Sequence, residues 1–555
     1  MNIDRILTLA DNMRQNFSMR QTGIDYCRRY GYQMRDDGSP AWEDSKRDSL
    51  APIPDSYQSY CARLLAQYLS ANTFGAGNAF FSLTAKSATN NGEIDVYTAT
   101  QIRDLSIKVM KRLMDTNLYS TALSAFMDVA VVGNAITFVD YDEKRDTFFF
   151  KNFEVGRGTF FSSAPNGEID MLSRRFVLTA KNAVLTYGKE NVAKNVYQKS
   201  TSAETANEET EYVWLVYPRE LFGEIVEQDA FGKIVRGAIK TKKRFASVII
   251  DVQNRVCVST SGFDDFPFAV LRWQTMGGND YGYSPTEMSI PDIKYLFRLE
   301  GLMKLAIEKQ VSPPMLANSL LESISTAPNA ISFFEGLSEV QAPIVQLPVP
   351  VNLPLLDQEI TRRKQNIYRN FMLNEFEAIN ETTKYMTAEE VRSRNNQSIR
   401  AIAPIVYRIH SEYLSPIIKR VFVKMLDNKE IELPNGLTIE EVSIKYHSSL
   451  DSMVLQGELA RMQTFVGNLG AIIQSRSAFG DFWDAHINNE SLLRHMLEYD
   501  NVPSDVMHKP EQIENNINAI KQAQIEAQQA QIAQSYIRPI DMQKNAEPQS
   551  PMSRY

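Results

Sequence analysis

From Tyr281 to Leu426 the sequence alternates long helical runs with one apolar, proline-punctuated insert, and few folds accommodate that order. The first run opens at Tyr281-Gly282-Tyr283-Ser284-Pro285 and continues to Gln310. Ser284 can cap it, and Pro285 at the first helical position gives up no needed donor. Ile293, Leu296, Phe297, Leu299, Leu302, Met303, Leu305, Ala306 and Ile307 make a broad apolar face, with Lys294, Arg298, Lys304 and Lys309 between them. Val311-Ser312-Pro313-Pro314 stops it. The insert, Val311–Leu353, is so apolar that on a protruding hairpin it needs copies of itself or a partner to cover it. Leu355–Leu373 returns as a helix carrying Arg362, Arg363, Lys364 and Arg369, and Asn374–Met386 reads as a short polar loop. Thr387-Ala388-Glu389-Glu390 is a capping box. The helix it opens runs to about Leu426, roughly 60 Å at about 1.5 Å per residue. Pro404 and Pro416 should kink it rather than end it, because Ile405, Ile409, Leu414, Ile417, Val421 and Phe422 keep the period.

A chain of 555 residues exceeds one core, and three to five modules of about 100–200 residues each are expected. With 43% hydrophobic and 23% charged residues, a sizeable core can be buried. No apolar run nears the roughly 20 residues that span a bilayer, and Met1-Asn2-Ile3-Asp4-Arg5 lacks a signal-peptide pattern. Synthesis and assembly in a cytoplasm, away from membranes, are expected. Cys27, Cys61 and Cys257 are widely spread with no CxxC, which favours free thiols over a disulfide framework or zinc site. The net charge of −8 argues against a static grip on DNA, but not against a smooth passage through which DNA moves.

Before this stretch the chain reads as one α+β domain, residues 1–280. Helical periodicity covers Arg5–Tyr32, Ile53–Leu69 and Ile94–Val129. Strands follow at Ala79–Leu83, Val131–Val139, Thr147–Phe153, Gly158–Phe161, Arg174–Leu178, Tyr212–Tyr217, Ala246–Asp251, Arg255–Ser259 and Phe268–Trp273, with helix near Asn182–Tyr187 and Glu190–Tyr197. Beyond Leu426, Leu433-Pro434 and Val442–Tyr446 read as a short strand pair, and Met453–His508 as helical. The Gln/Ala-rich run Glu511–Gln534 has a narrow isoleucine stripe that suits self-association. Residues 536–555 read as disordered.

Little here carries chemistry. Gly188-Lys189 and Gly232-Lys233 lack the spacing of a P-loop, and neither HExxH nor GxSxG occurs. His410, His447, His486, His495 and His508 show no ligand spacing. Asp292-Ile293-Lys294 and Asp142-Glu143-Lys144 resemble the carboxylate–lysine pairs of metal nucleases, but a helix start and a turn explain them better. No catalytic residue, metal or cofactor is expected, and a structural role is favoured over an enzymatic one.

Four stretches resemble the portal, or head-to-tail connector, proteins of short-tailed (podovirus-type) bacteriophages. They are Leu64-Leu65-Ala66 through Leu83, Val131-Val132-Gly133-Asn134-Ala135, Phe266-Pro267-Phe268 through Asp280-Tyr281-Gly282-Tyr283-Ser284-Pro285, and Phe371-Met372-Leu373 through Thr387-Ala388-Glu389-Glu390-Val391. The similarity spans about residues 55–430. It implies an α+β multidomain portal-type fold: a wing at 1–280, stem helices at 281–310 and 354–373, and an α/β clip at 311–353. It further implies a channel loop at 374–386, a long kinked wing helix with short strands at 387–452, and a helical crown or barrel at 453–535. A ring of twelve subunits at one capsid vertex of the virion is implied. So are a terminase large subunit, major capsid and scaffolding proteins, a tail adaptor, internal core or ejection proteins, and double-stranded DNA bound without sequence preference. Lys384 on the loop, with Arg362, Arg363, Lys364, Arg369, Lys294 and Arg298 on the stem helices, would then meet DNA phosphates. The competing readings are a metal-dependent nuclease or other packaging enzyme, and a non-phage structural adaptor.

Overall fold

The computed structural model describes residues 3–32, 56–74, 80–85, 96–221, 243–311, 315–317, 344–346, 352–380, 388–434 and 437–446, with Gln522, Glu526 and Gln529 as single helical positions. The chain divides into two compact units, 1–88 with 101–454, and 89–100 with 455–555. Almost every described residue belongs to the first. The expected crown and tail, most of the insert and the Thr387 capping box lie outside the described residues.

Helix α1 (Ile3–Gly31) buries Ile6, Ala10, Met13, Phe17, Ile24 and Cys27, a three- and four-residue spacing that presents one apolar stripe along its length. Helix α2 (Tyr57–Phe74) and strand β1 (Phe81–Ala85) follow. The run expected as a single helix from Ile94 to Val129 is two, α3 (Val96–Met114) and α4 (Leu118–Val132). The break falls at Asp115-Thr116-Asn117. There the Asn117 amide donates to the Phe150 carbonyl (2.8 Å) and accepts from the Phe150 N–H (2.9 Å), acting as an extra rung on the strand that Phe150 occupies.

Helix α4 ends on Gly133, whose φ of 81° lets its N–H cap the Val129 carbonyl at 2.9 Å. Strand β2 (Asn134–Asp142) starts at the next residue, and β3 (Thr147–Phe153) returns from it. In the turn, Asp142 Oδ1 accepts from the N–H groups of Lys144 (2.9 Å) and Arg145 (3.3 Å), an Asx turn rather than a metal ligand. Strands β4 (Thr159–Ser163), β5 (Ile169–Thr179), β6 (Glu209–Pro218), β7 (Phe245–Asp251) and β8 (Val256–Phe263) form a five-stranded antiparallel meander in chain order. Helices α5 (Ala180–Tyr187) and α6 (Lys194–Thr201) interrupt it and bury a small satellite core with Tyr212 and Val258. Strand β9 (Phe268–Arg272) then pairs with β2 opposite β3, in the register Asn134↔Arg272. Trp214 of β6 joins the two sheets, its ring 5.2 Å from Phe138, 6.1 Å from Phe153 and 5.3 Å from Phe268.

Helix α7 (Pro285–Val311), a short antiparallel pair β10 (Met315–Ala317) and β11 (Ile344–Gln346), and helix α8 (Leu353–Asn370) make the hairpin. The stretch expected as a loop from Asn374 begins instead as helix α9 (Leu373–Asn380). Its polar composition hid Leu373 and Phe376, which are fully buried and hold that turn against the core. The long helix is present as α10 (Ala388–Arg408), a π turn at Ile409–Leu414, and α11 (Ser415–Asp427). Pro416 has no N–H to offer the Glu412 carbonyl, and just before it Ser415 N–H reaches back five residues to His410 O. Strand β12 (Val442–Tyr446) does not pair with Leu433-Pro434 as expected; it pairs with β1, Phe81 opposite Tyr446.

Candidate functional site

The hairpin is only as well placed as its root, and the root is built from two short motifs far apart in sequence. Asn134, fully buried, turns its amide onto the backbone of Gly282. Its Oδ1 accepts from Gly282 N–H at 2.7 Å, and its Nδ2 donates to Gly282 O at 3.1 Å and to Val132 O at 3.2 Å. The neighbouring glycines touch backbone to backbone. A Cβ on Gly133 would meet Ser284 N at 2.7 Å, and one on Gly282 would meet Gly133 O at 2.6 Å. Only glycine fits at either point, and at Gly133 the positive φ requires it as well.

From this contact α7 departs. The Ser284 hydroxyl accepts from Glu287 N–H at 2.9 Å, the N-cap that the sequence predicts, with Pro285 as first helical residue. The Thr286 hydroxyl donates to Ala130 O at 2.9 Å. Three carbonyls at the end of α4, Val129, Ala130 and Val132, are thereby satisfied by root residues. Arg20 of α1 locks the first turn from outside, with Nη1 and Nη2 on the two Glu287 carboxylate oxygens at 2.7 and 2.6 Å. It also lies 3.7 Å above the Tyr283 ring. A carboxylate in the first turn of a helix is favoured by the dipole, and the paired fork holds it there. Tyr281 packs on Phe161 and Phe17 (centroids 4.2 and 4.8 Å). Its hydroxyl donates to Phe161 O and accepts from Phe161 N–H, both at 3.0 Å, and burial pushes the phenol well up. The Cys27 thiol, 3.6 Å from Ser284 Oγ, is pushed up to about 12 by burial.

The long helix grips the same region from its π turn. Glu412 accepts from Arg272 Nη2 (2.7 Å), Nε (3.2 Å) and backbone N–H (3.0 Å), and Arg408 Nη1 donates to Trp273 O at 2.9 Å.

The bases singled out on the hairpin fall into two groups. Arg363 and Lys364 brace α8 against α7: Arg363 Nη1 lies 2.9 Å from Asp292, with its guanidinium over the Tyr295 ring, and Lys364 Nζ lies 2.9 Å from Glu300. Asp292, considered above as part of a nuclease-like triplet, is thus a partner for Arg363. Lys294, Arg298, Arg362 and Arg369 are exposed. Lys294 sits over the Tyr26 ring at 4.3 Å, and Arg362, 67% exposed, has Glu359 at 3.6 Å. Lys294 and Arg298 are four apart and Arg362 and Arg369 seven apart, so each pair shares one side of its helix. Lys384 lies outside the described residues. Leu302, Leu305 and Val311 on α7 and Leu355 on α8 are exposed apolar side chains toward the insert.

Among the described residues no group of His, Cys, Asp and Glu is arranged to hold a metal ion, and no helix is long and apolar enough to cross a membrane. Of the five histidines only His410 is described; it stacks on Tyr446 at 4.2 Å. None of the three cysteines, all of them described, forms a disulfide. The sequence marked Gly133-Asn134 and Tyr281–Pro285 separately. No signal in either says that they meet, and Arg20 carried no signal at all.

Comparison with known proteins covers this whole region. Residues 4–507 match the family described as "Bacteriophage head to tail connecting protein". A probable portal protein of Bordetella phage BPP-1 is 23% identical over 445 residues, 78% of this chain and 76% of the relative. The portal protein of Salmonella phage epsilon15 is 24% identical over 381 residues, 66% of each.

Proposed function

This chain belongs to the bacteriophage head to tail connecting protein family and serves as a phage portal in the virion, and on that premise we propose how it does so. Twelve copies close a ring at one capsid vertex, with 1–280 and 387–452 as the wing, α7 and α8 as the stem, 311–353 as the clip, 374–386 lining the channel and 453–535 as the crown. Subunits with closed cyclic symmetry meet through two different surfaces. The exposed Leu302, Leu305, Val311 and Leu355, on helices otherwise well buried at their root, support burial between neighbours.

Double-stranded DNA passes along the stem without sequence readout. Its phosphates meet Lys384 and the exposed Lys294, Arg298, Arg362 and Arg369, while Arg363 and Lys364, held by Asp292 and Glu300, mainly stiffen the hairpin. A few weak, salt-sensitive contacts on an acidic protein let DNA slide. The ring docks the terminase large subunit during packaging, which supplies the energy, and a tail adaptor afterwards. Scaffolding and major capsid proteins surround it during assembly in the host cytoplasm, and internal core proteins stack on it. Family membership favours this structural role over a metal-dependent nuclease.

The observation that carries the reading is the rooted hairpin: both stem helices are fixed to the wing while their basic and apolar outer sides are left open. The test is a deletion confined to 381–386, because removing 374–380 as well would take Phe376 from the core. Rings should assemble normally and heads should lose packaged DNA. Full heads of normal DNA content from this variant would refute the channel role.

A further inference from the structure

Helix α9 is eight residues long, too short to hold itself in water, so its place is decided by what it docks on. It leaves α8 through an elbow at Met372, whose φ of 55° is one that L side chains rarely adopt. Phe371 and Leu373, both fully buried, pin the elbow on either side. Phe376, fully buried, lies parallel to Tyr68 of α2, centroids 5.7 Å apart with 4° between planes. Across the elbow the Tyr368 hydroxyl, in the last turn of α8, donates to the Glu377 carboxylate. Burial, and then that bond, push the Tyr368 phenol up, so it stays a donor at any working pH. These contacts tie the end of the hairpin to α2, and the wing exchanges no comparable buried aromatic contact with α9 elsewhere among the described residues.

We propose that Tyr368 and Tyr68 are positioning residues that hold α9 at a fixed place between the returning helix and α2, and so fix where the channel-lining segment begins. The inference rests on the reading that residues 374–386 line the channel. It adds that this segment is no free loop but opens as a latched helix, whose release would let it shift under a passing load while the stem stays put.

The experiment uses assembled rings and heads carrying Tyr368→Phe, Glu377→Leu, which removes the acceptor, both together, or Tyr68→Leu. Hydrogen exchange of the 373–380 amides is followed beside that of the α7 amides, with DNA content of heads as the second measurement. Loss of a hydrogen bond to a charged partner should speed α9 exchange by about tenfold and leave α7 unchanged. The double variant should match either single one, since both remove the same bond. Tyr68→Leu should act in the same direction, and all should lower retained DNA. Unchanged α9 exchange, additive effects of the two single changes, or faster exchange with normal DNA retention would each overturn the proposal. If the 381–386 deletion loses DNA and Tyr368→Phe does not, this inference alone fails; if neither does, the channel reading fails with it.

Discussion

Replacing Asn134 with alanine should loosen the joint between hairpin and sheet more than any substitution on the hairpin itself. The amide makes three bonds, to Gly282 N–H, Gly282 O and Val132 O, in a place water does not reach. Gly282 O keeps a second donor, Arg20 Nη2 at 3.3 Å. The Gly282 N–H and the Val132 carbonyl are left without the bonds they had. A buried polar group stripped of its partner costs about 1–3 kcal/mol, so the two together come to about 4 kcal/mol. That is a large part of the roughly 5–15 kcal/mol that keeps a domain folded. Because a chain of several units need not unfold in one step, the loss is best read locally, by hydrogen exchange at 281–284 and by protease sensitivity beside Ser284. Asn134→Asp sharpens the test. One carboxylate oxygen can still accept from Gly282 N–H, but the other faces two carbonyls. At neutral pH it should do no better than alanine, and acidification should recover part of the loss as the carboxyl regains a donor. An alanine variant whose exchange at 281–284 stays within about 1 kcal/mol of the wild type would refute the reasoning.

Two further outcomes follow from buried titrating groups. The Asp128 carboxyl is raised by burial from its ordinary 3.8 to about 6, with the Tyr32 hydroxyl as its bond partner and Glu154 and Arg28 nearby. The folded state therefore binds this proton more tightly than the unfolded chain, and the stability it contributes is full below about 4 and lost as pH rises through about 6. Asp128→Asn should remove that loss, so that wild type and variant draw apart between about pH 4 and pH 6 in urea unfolding and keep a constant gap above about pH 7; curves that stay parallel between pH 4 and pH 6 would contradict it. The Cys27 thiol, pushed up to about 12, should resist iodoacetamide at pH 8, while the half-buried Cys257 is alkylated first. Mass spectrometry showing both labelled at one rate would count against the burial at the root.

Periodicity made most elements legible. The α1 stripe, the Thr147–Phe153 strand and the Ser284-Pro285 helix start stand where residue spacing puts them, because each is decided by near neighbours. What was missed depends on partners far along the chain. The α3–α4 break exists for a bond to Phe150, the α9 helix exists because Phe376 finds Tyr68, and β12 finds β1 rather than the adjacent Leu433-Pro434. The candidate site divides in the same way. Basic residues on the two helices could be read directly, but not that Asp292 and Glu300 would claim Arg363 and Lys364 and leave the others open.

The β1–β12 pair sets a condition on biosynthesis. Thr84 lies beside Ser443, 359 positions later, so a strand made early stays a bare edge until Val442–Tyr446 has left the ribosome. Closing so long a stretch carries a large entropic cost and comes late in folding. A polypeptide cut short before Val442, or not yet translated that far, therefore lacks a finished ladder, and β1 in effect checks that synthesis has reached these five residues.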